Sequence, residues 1–226
     1  LNEIPAIGAD WPEFKERFAR LREAVELMKR LWTEDRVTFE GEYYQTEKAT
    51  IYDKPDQPVP LYVAAGGPLV ARYAGRAADG FICTSGKGES LYRDKLVPAV
   101  REGEEKAGKA PGSVDMMIEM KVSYDHDLER ARQDTHHWAA LALSSDEKTG
   151  VEDPIEMERL ADALPIERTA SRWIVSDNPE AQIEQIKPYL DLGFTHLVFH
   201  APGPDQERFM RQYAEDVLPR LREIAG

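Results

Sequence analysis

Apolar positions recur along the chain in two rhythms, which separate a helical opening from a run of strand–helix units. Phe14, Phe18, Leu21, Val25, Met28 and Trp32 follow one another at alternating steps of four and three. That spacing lays one apolar stripe along a helix and predicts a helix running to about Trp32. Asp10 and Glu13 have the spacing of a capping box, with Pro12 placed for a first turn. The next stretch, VTFEGEYYQTEKATIY, is rich in β-branched and aromatic residues around a Glu-Gly turn. It predicts a hairpin-like excursion.

From Val59 the rhythm changes. VPLYVAA is a short apolar strand, Gly66-Gly67 a turn, and Pro68 opens a helix through Ala77. DGFICTS predicts a second strand, followed by a helix from about Glu89 to Ala107. DMMIEMKVSY predicts a third, with a helix starting near Asp127. FTHLVFHAP predicts a fourth, ahead of a terminal helix from Asp205 to Glu223. Strands that are almost continuously apolar and alternate with helices predict a parallel sheet covered by helices.

The stretch from about 126 to 192 is too long for one crossover. It predicts a helix at 131–143, a Ser-Ser-Asp-Glu-Lys turn, helices near 154–163 and 166–173, and one at 177–192 bent by Pro188. This is expected to be a helical insertion beside the mouth of a barrel. The four strand–helix units amount to half of a parallel (β/α)8 barrel. Residues 1–226 are therefore expected to form a single domain, the C-terminal part of such a barrel. Half a barrel leaves two parallel edges open, so either sequence preceding Leu1 or another chain must complete the sheet, and the first is expected.

Charge narrows the partners. The chain has 29 basic and 42 acidic residues, a net charge of −13. Such a surface repels nucleic acid and anionic lipid, so neither is an expected partner. An anionic small molecule must be met by cations gathered locally. Cys83 is the lone cysteine, which rules out an intrachain disulfide and makes a reducing cytoplasm the default. No apolar run approaches the length of a membrane span.

In a parallel barrel the residues just after each strand form the site. Gly66-Gly67 would let a flat ligand approach the backbone, and the helix at Pro68 offers free N–H groups. A plain tight turn explains the same residues. Thr84-Ser85-Gly86-Lys87 places a hydroxyl, a turn glycine and an ammonium at a strand end, which suits a phosphate monoester. A solvated loop lysine is the simpler alternative. Lys148 and Arg172 could join Lys87 around one dianion, or could serve surface ion pairs. His196 and His200 sit about 13 Å apart on a strand, His136 and His137 face different ways on a helix, and no metal site is expected. Neither GxGxxG nor GxSxG occurs.

WPEFKERFARLREAVELMKRLW, YVAAGGP, YAGRAADGFICTSGK, DPIEMERLADALPIE, RWIVSDNP and HLVFHAPG together resemble the F420-dependent glucose-6-phosphate dehydrogenases, luciferase-like barrel enzymes. The resemblance implies oxidation of glucose 6-phosphate to 6-phosphogluconolactone with coenzyme F420 as hydride acceptor. By resemblance, Thr84, Lys87, Lys148 and Arg172 hold the sugar phosphate. Asn2, Gly66, Gly67, Leu69 and Val70 contact the cofactor. The family's catalytic histidine, tryptophan and glutamate fall before Leu1, so no catalytic residue is expected within this chain. The resemblance also implies a homodimer. Two other readings stay open: a non-catalytic sugar-phosphate-binding truncation, and a flavin-dependent luciferase-like monooxygenase.

Overall fold

The computed structural model describes residue 4 and residues 7–225. Helix α1 covers Phe14–Thr33 and packs on the core through Phe18, Leu21, Val25 and Trp32 of the predicted stripe, while Phe14 and Met28 stay exposed. The capping box does not form. Glu13 is the N-cap and its side chain bonds no helix amide, because residues 9–13 approach in irregular, non-helical backbone. The hairpin is present as β1 (Val37–Glu40) antiparallel to β2 (Gln45–Ala49).

The parallel sheet begins at β3 (Tyr62–Ala64), followed by α2 (Pro68–Ala77) and β4 (Gly80–Thr84). A short helical turn at Glu89–Leu91 and a π turn at Tyr92–Leu96 lead into α3 (Val97–Lys106). The axes of α2 and α3 come close because Gly75 and Gly103 bring backbone against backbone. A Cβ at Gly75 would stand 2.1 Å from the Val100 carbonyl oxygen, and one at Gly103 2.1 Å from that of Arg72. The long central strand β5 (Asp115–Tyr124) then pairs β4 along one edge and β7 (His196–His200) along the other, all parallel.

Three elements of the predicted insertion are α4 (Leu128–Asp134), a 3-10 segment (Thr135–Ala142) and a helical turn at Ser145–Lys148. Helices α5 (Pro154–Asp162) and α6 (Ile166–Ala170) complete it. Ala139, Leu143 and Ala161 give it a small core of its own. Its far boundary differs from expectation. Residues 174–176 form a fifth parallel strand, β6 (Ile174–Ser176), pairing the last three residues of β5. Helix α7 (Pro179–Asp191), capped by Asn178 and running through Pro188, is thus an ordinary crossover to β7 rather than part of the insertion. Three residues cannot show a periodicity, which is why β6 is invisible in the sequence. The chain ends in α8 (Gln206–Gln212), a π turn and α9 (Leu218–Ala225).

The two faces of the sheet are unlike. Phe81, Met116, Ile118 and Met120 point beneath the helices and are buried with Tyr92, Leu96 and Phe194. Ile82, Thr84, Met117 and Glu119 alternate with them and point to the other face, where they are only half-buried. Among the described residues, β3 and β7 each pair a strand on one edge only.

Candidate functional site

The site gathers at the C-terminal ends of β3, β4, β5 and β7. Sheet register does most of the placing: Thr84 lies opposite Glu119, and Lys121 opposite His200. Glu119 and Lys121 are two residues apart on one strand and so share a face. A cavity of about 350 Å³ opens there, lined by Ala64, Gly66, Thr84, Lys87, Leu91 and Glu119 among others.

The turn after β4 is pinned at several points. Tyr92 donates its hydroxyl to the Thr84 carbonyl at 2.9 Å and accepts the Lys87 amide at 3.2 Å. Ser85 donates its amide to the Glu119 carbonyl, and its hydroxyl oxygen accepts the Lys121 amide, both at 2.8 Å. Gly86 adopts φ +78°, a left-handed conformation that favours glycine, and a Cβ there would sit 2.8 Å from the Arg172 carbonyl oxygen. The insertion therefore closes directly over this turn. Cys83 lies beneath it; burial pushes its thiol up to about 12, although Lys87 and Lys121 pull the other way.

Lys148 and Arg172 arrive from the insertion. Lys148 ends the turn that Ser144 caps, in which Glu147 returns a bond to the Ser144 amide at 2.7 Å. Glu147 is also clamped by Arg168, and the Arg168 and Ser144 bonds together hold its carboxyl down at about 2. The Lys148 ammonium is pushed below the usual lysine range by burial and then by the nearby Arg172 charge. Arg172 is half-buried, and its Nε is a buried donor without a protein acceptor. Lys87 is exposed at the cavity rim. Of the four residues expected to hold the sugar phosphate, Thr84 and Lys87 thus lie at the β4 end and its turn, Arg172 has its backbone against Gly86, and Lys148 lies near Arg172.

The glycine turn faces the same cavity through Gly66. A Cβ built on Gly66 or Gly67 meets nothing within 4 Å, and neither residue has a positive φ. Neither packing nor backbone conformation requires glycine there, and the open space above the turn suits a planar group lying against it. The first bond of α2 runs from the Ala71 amide to the Gly67 carbonyl, which leaves the Leu69 and Val70 amides outside the helical ladder. The side chain of Leu69 is exposed and faces a separate groove beside Phe18 and Tyr73, so only its backbone can serve this site. Asn2 lies outside the described residues.

A second polar set, unforeseen from the sequence, lies beside Thr84. Lys121 is 5% exposed, and its ammonium donates to the Thr84 hydroxyl oxygen and to Glu119 Oε2, the latter at 3.0 Å. Glu119 Oε1 meets His200 Nδ1 at 2.6 Å. Burial raises the Glu119 pKa, but bonds from His200, Lys121 and Thr84 outweigh it and hold the carboxyl below its ordinary range. Trp138 and Trp173 from the insertion stand edge-on to His200, with ring centroids 4.7 and 5.1 Å away. A signal was present: Glu119 and Lys121 interrupt DMMIEMKVSY at period two, where a parallel strand buried on both faces carries apolar residues.

The profile of the luciferase-like monooxygenase family matches residues 2–196. The chain belongs to that family. Relatives of this luciferase-like chain include an F420-dependent glucose-6-phosphate dehydrogenase of Nakamurella multipartita, 64% identical over the whole chain and 66% of the relative. Another of the same name, from Amycolatopsis mediterranei, is 61% identical over 99% of the chain and 67% of the relative. The luciferase-like chain thus spans about two thirds of the length of these relatives. Among solved structures, an F420-dependent secondary alcohol dehydrogenase in complex with an F420–acetone adduct superposes with a TM-score of 0.84 at 29% identity. That superposition covers 97% of this chain and 66% of the other. A coenzyme F420-dependent tetrahydromethanopterin reductase from Methanopyrus kandleri shares the fold, with a TM-score of 0.73 at 22% identity over 90% of this chain and 63% of the other. Among the described residues no helix is long and apolar enough to cross a membrane.

Proposed function

We propose that the protein is an F420-dependent glucose-6-phosphate dehydrogenase that oxidises the sugar at C1 to 6-phosphogluconolactone. In this proposal the chain described here supplies the sugar-phosphate site and one wall of the deazaflavin site. The observation that supports it is that Thr84 and Lys87 line one strand-end cavity whose Gly86 turn meets the Arg172 backbone, with Lys148 near Arg172, from segments far apart in sequence. In a chain of net charge −13, cations drawn toward one place call for an anion. Each contributes up to ~4 kcal/mol of Coulomb attraction to a phosphate charge at intermediate dielectric, before desolvation is subtracted. The buried, unpartnered Nε of Arg172 is a donor suited to a phosphate oxygen.

Coenzyme F420, when bound, supplies the hydride acceptor. Gly66 and Gly67 offer it an unobstructed backbone surface, and the free amides of Leu69 and Val70 offer donors to its anionic part. The phosphate residues orient the sugar by its far end, so their binding energy places C1 rather than acting on it. An apolar aldehyde or alkane has no use for three cations, which disfavours the flavin monooxygenase reading. A cytoplasmic setting, with which the lone buried cysteine agrees, and a homodimer, which the resemblance implies, belong to the same proposal.

Arg172→Ala in the full-length enzyme tests the assignment. It is expected to raise KM for glucose 6-phosphate about tenfold to a hundredfold and to leave deazaflavin affinity near the parent value. Free glucose gains nothing from the arginine, so the preference for phosphorylated sugar collapses. A variant that keeps that preference removes the basis for naming the substrate.

A further inference from the structure

Beneath the phosphate set lies a lysine that no resemblance assigned. Lys121 is 5% exposed, its stem runs under Gly86, and its ammonium touches both the Thr84 hydroxyl oxygen and the Glu119 carboxylate. An ammonium can only donate. Thr84 Oγ1 is therefore an acceptor toward Lys121, and the hydroxyl proton is left to be donated elsewhere. In the free site that proton faces the Glu119 carboxylate, which accepts a bond from Thr84, while the Ser85 carbonyl at 3.4 Å is too far for a strong bond. A phosphate oxygen takes the proton in place of Glu119. Lys121 and Glu119 cancel in charge, so the pair adds little net field at the cavity. What it adds is direction.

We propose that Lys121 is a positioning residue of the phosphate site, turning the Thr84 hydroxyl into a donor aimed at the substrate's phosphate. Glu119 fixes the ammonium, and His200 fixes Glu119 through its other oxygen at 2.6 Å. The relay Thr84–Lys121–Glu119–His200 crosses three adjacent strands, β4, β5 and β7, so the hydroxyl is oriented by the sheet rather than by the turn that carries it. Before substrate arrives, Glu119 serves as the anion beside Lys121 and Thr84. A phosphate oxygen then takes the threonine proton, while the lysine–glutamate pair stays intact. The inference rests on the glucose 6-phosphate reading, and its test separates the two.

In the full-length enzyme saturated with coenzyme F420, Lys121→Met is expected to raise KM for glucose 6-phosphate about tenfold, the loss of one charge-assisted bond's orientation. The dissociation constant for F420 stays near the parent value, while Tm falls, because removing one partner of a buried pair leaves Glu119 with His200 alone. Thr84→Val has an effect of similar size, and the double variant is no worse than the worse single, since the lysine acts through the hydroxyl. A merely structural lysine would lower Tm and leave KM for glucose 6-phosphate at the parent value. Additive effects of Lys121→Met and Thr84→Val, or an unchanged KM in Lys121→Met while Arg172→Ala abolishes sugar-phosphate preference, overturn the role of Lys121 and leave the phosphate reading standing. If Arg172→Ala keeps that preference, the phosphate reading itself falls and this proposal with it. Should Lys121→Met fail to fold, Glu119→Gln reports instead, by a raised KM for glucose 6-phosphate with F420 affinity intact; an unchanged KM overturns the proposal.

Discussion

His200 on β7 meets Glu119 on β5 at 2.6 Å, Nδ1 against Oε1, across a parallel strand pair. The contact secures one oxygen of a carboxylate whose other oxygen holds Lys121. Because these bonds outweigh burial, the folded-state pKa of Glu119 lies below its unfolded value. The carboxylate therefore contributes stability that is fully present above the unfolded pKa and is lost as pH falls through the folded one. Glu119→Gln is expected to melt below the parent at neutral pH, with the gap closing as pH falls through the carboxylate range. Melting curves across that range check it, and a gap constant with pH would mean that the charge of Glu119 contributes nothing to folding.

Lys148 carries a different pH signature. Burial and the neighbouring Arg172 hold its pKa below the usual lysine value, so the free site begins to lose that charge at a lower pH than an exposed lysine would. A bound phosphate favours the charged form. Affinity for glucose 6-phosphate is expected to fall early on the alkaline side, and binding in that window draws a proton from solution. Lys148→Arg keeps its charge and should carry the loss to higher pH. Calorimetry in buffers of different ionisation enthalpy reads the proton uptake directly.

Gly67 stands in open space with no positive φ, so a side chain there meets no protein atom. Gly67→Val should fold with a Tm close to the parent and still weaken deazaflavin binding by about tenfold or more, because its methyls occupy the space a planar ring needs. Spectral titration with F420, set beside KM for glucose 6-phosphate, separates a local effect from a general one. Equal loss of both affinities would falsify the cofactor-wall assignment.

Gly103 is the opposite case. Substituting alanine improves helix propensity by about 1 kcal/mol, yet its Cβ would stand 2.1 Å from the Arg72 carbonyl oxygen in α2. The clash with rigid backbone outweighs the propensity gain, and overpacking of this kind costs about 1–3 kcal/mol. Gly103→Ala is expected to lower Tm by several degrees, seen by calorimetry, with KM for glucose 6-phosphate nearly unchanged because α3 contributes nothing to the β4 turn. A more stable variant would mean that α2 and α3 can separate without loss.

The alternation of apolar strands and helices was enough to place α2, β4, β5 and β7 within a residue or two and β3 within three, because each falls in an apolar run bounded by turn residues. Strand-end chemistry was legible for the same reason: once the strands are placed, Gly66, Thr84 and Lys87 must share one end of the sheet. Other features were decided only in three dimensions. The short strand β6 is too brief to carry a pattern, and forms because β5 extends past β4 and offers it three residues of free edge. The capping box predicted ahead of α1 lost to a chain that enters without helical backbone at Asp10. Lys148 and Arg172 are 61 and 85 residues from Lys87 in sequence, and no local rule could say that the insertion folds back onto the Gly86 turn. Glu119, Lys121 and His200 are polar residues inside strands, and their significance comes from register: only the parallel pairing of β4, β5 and β7 sets a carboxylate, an ammonium, an imidazole and a hydroxyl side by side. Periodicity reports which face of an element is buried, and pairing between distant strands decides which polar groups meet on the other face.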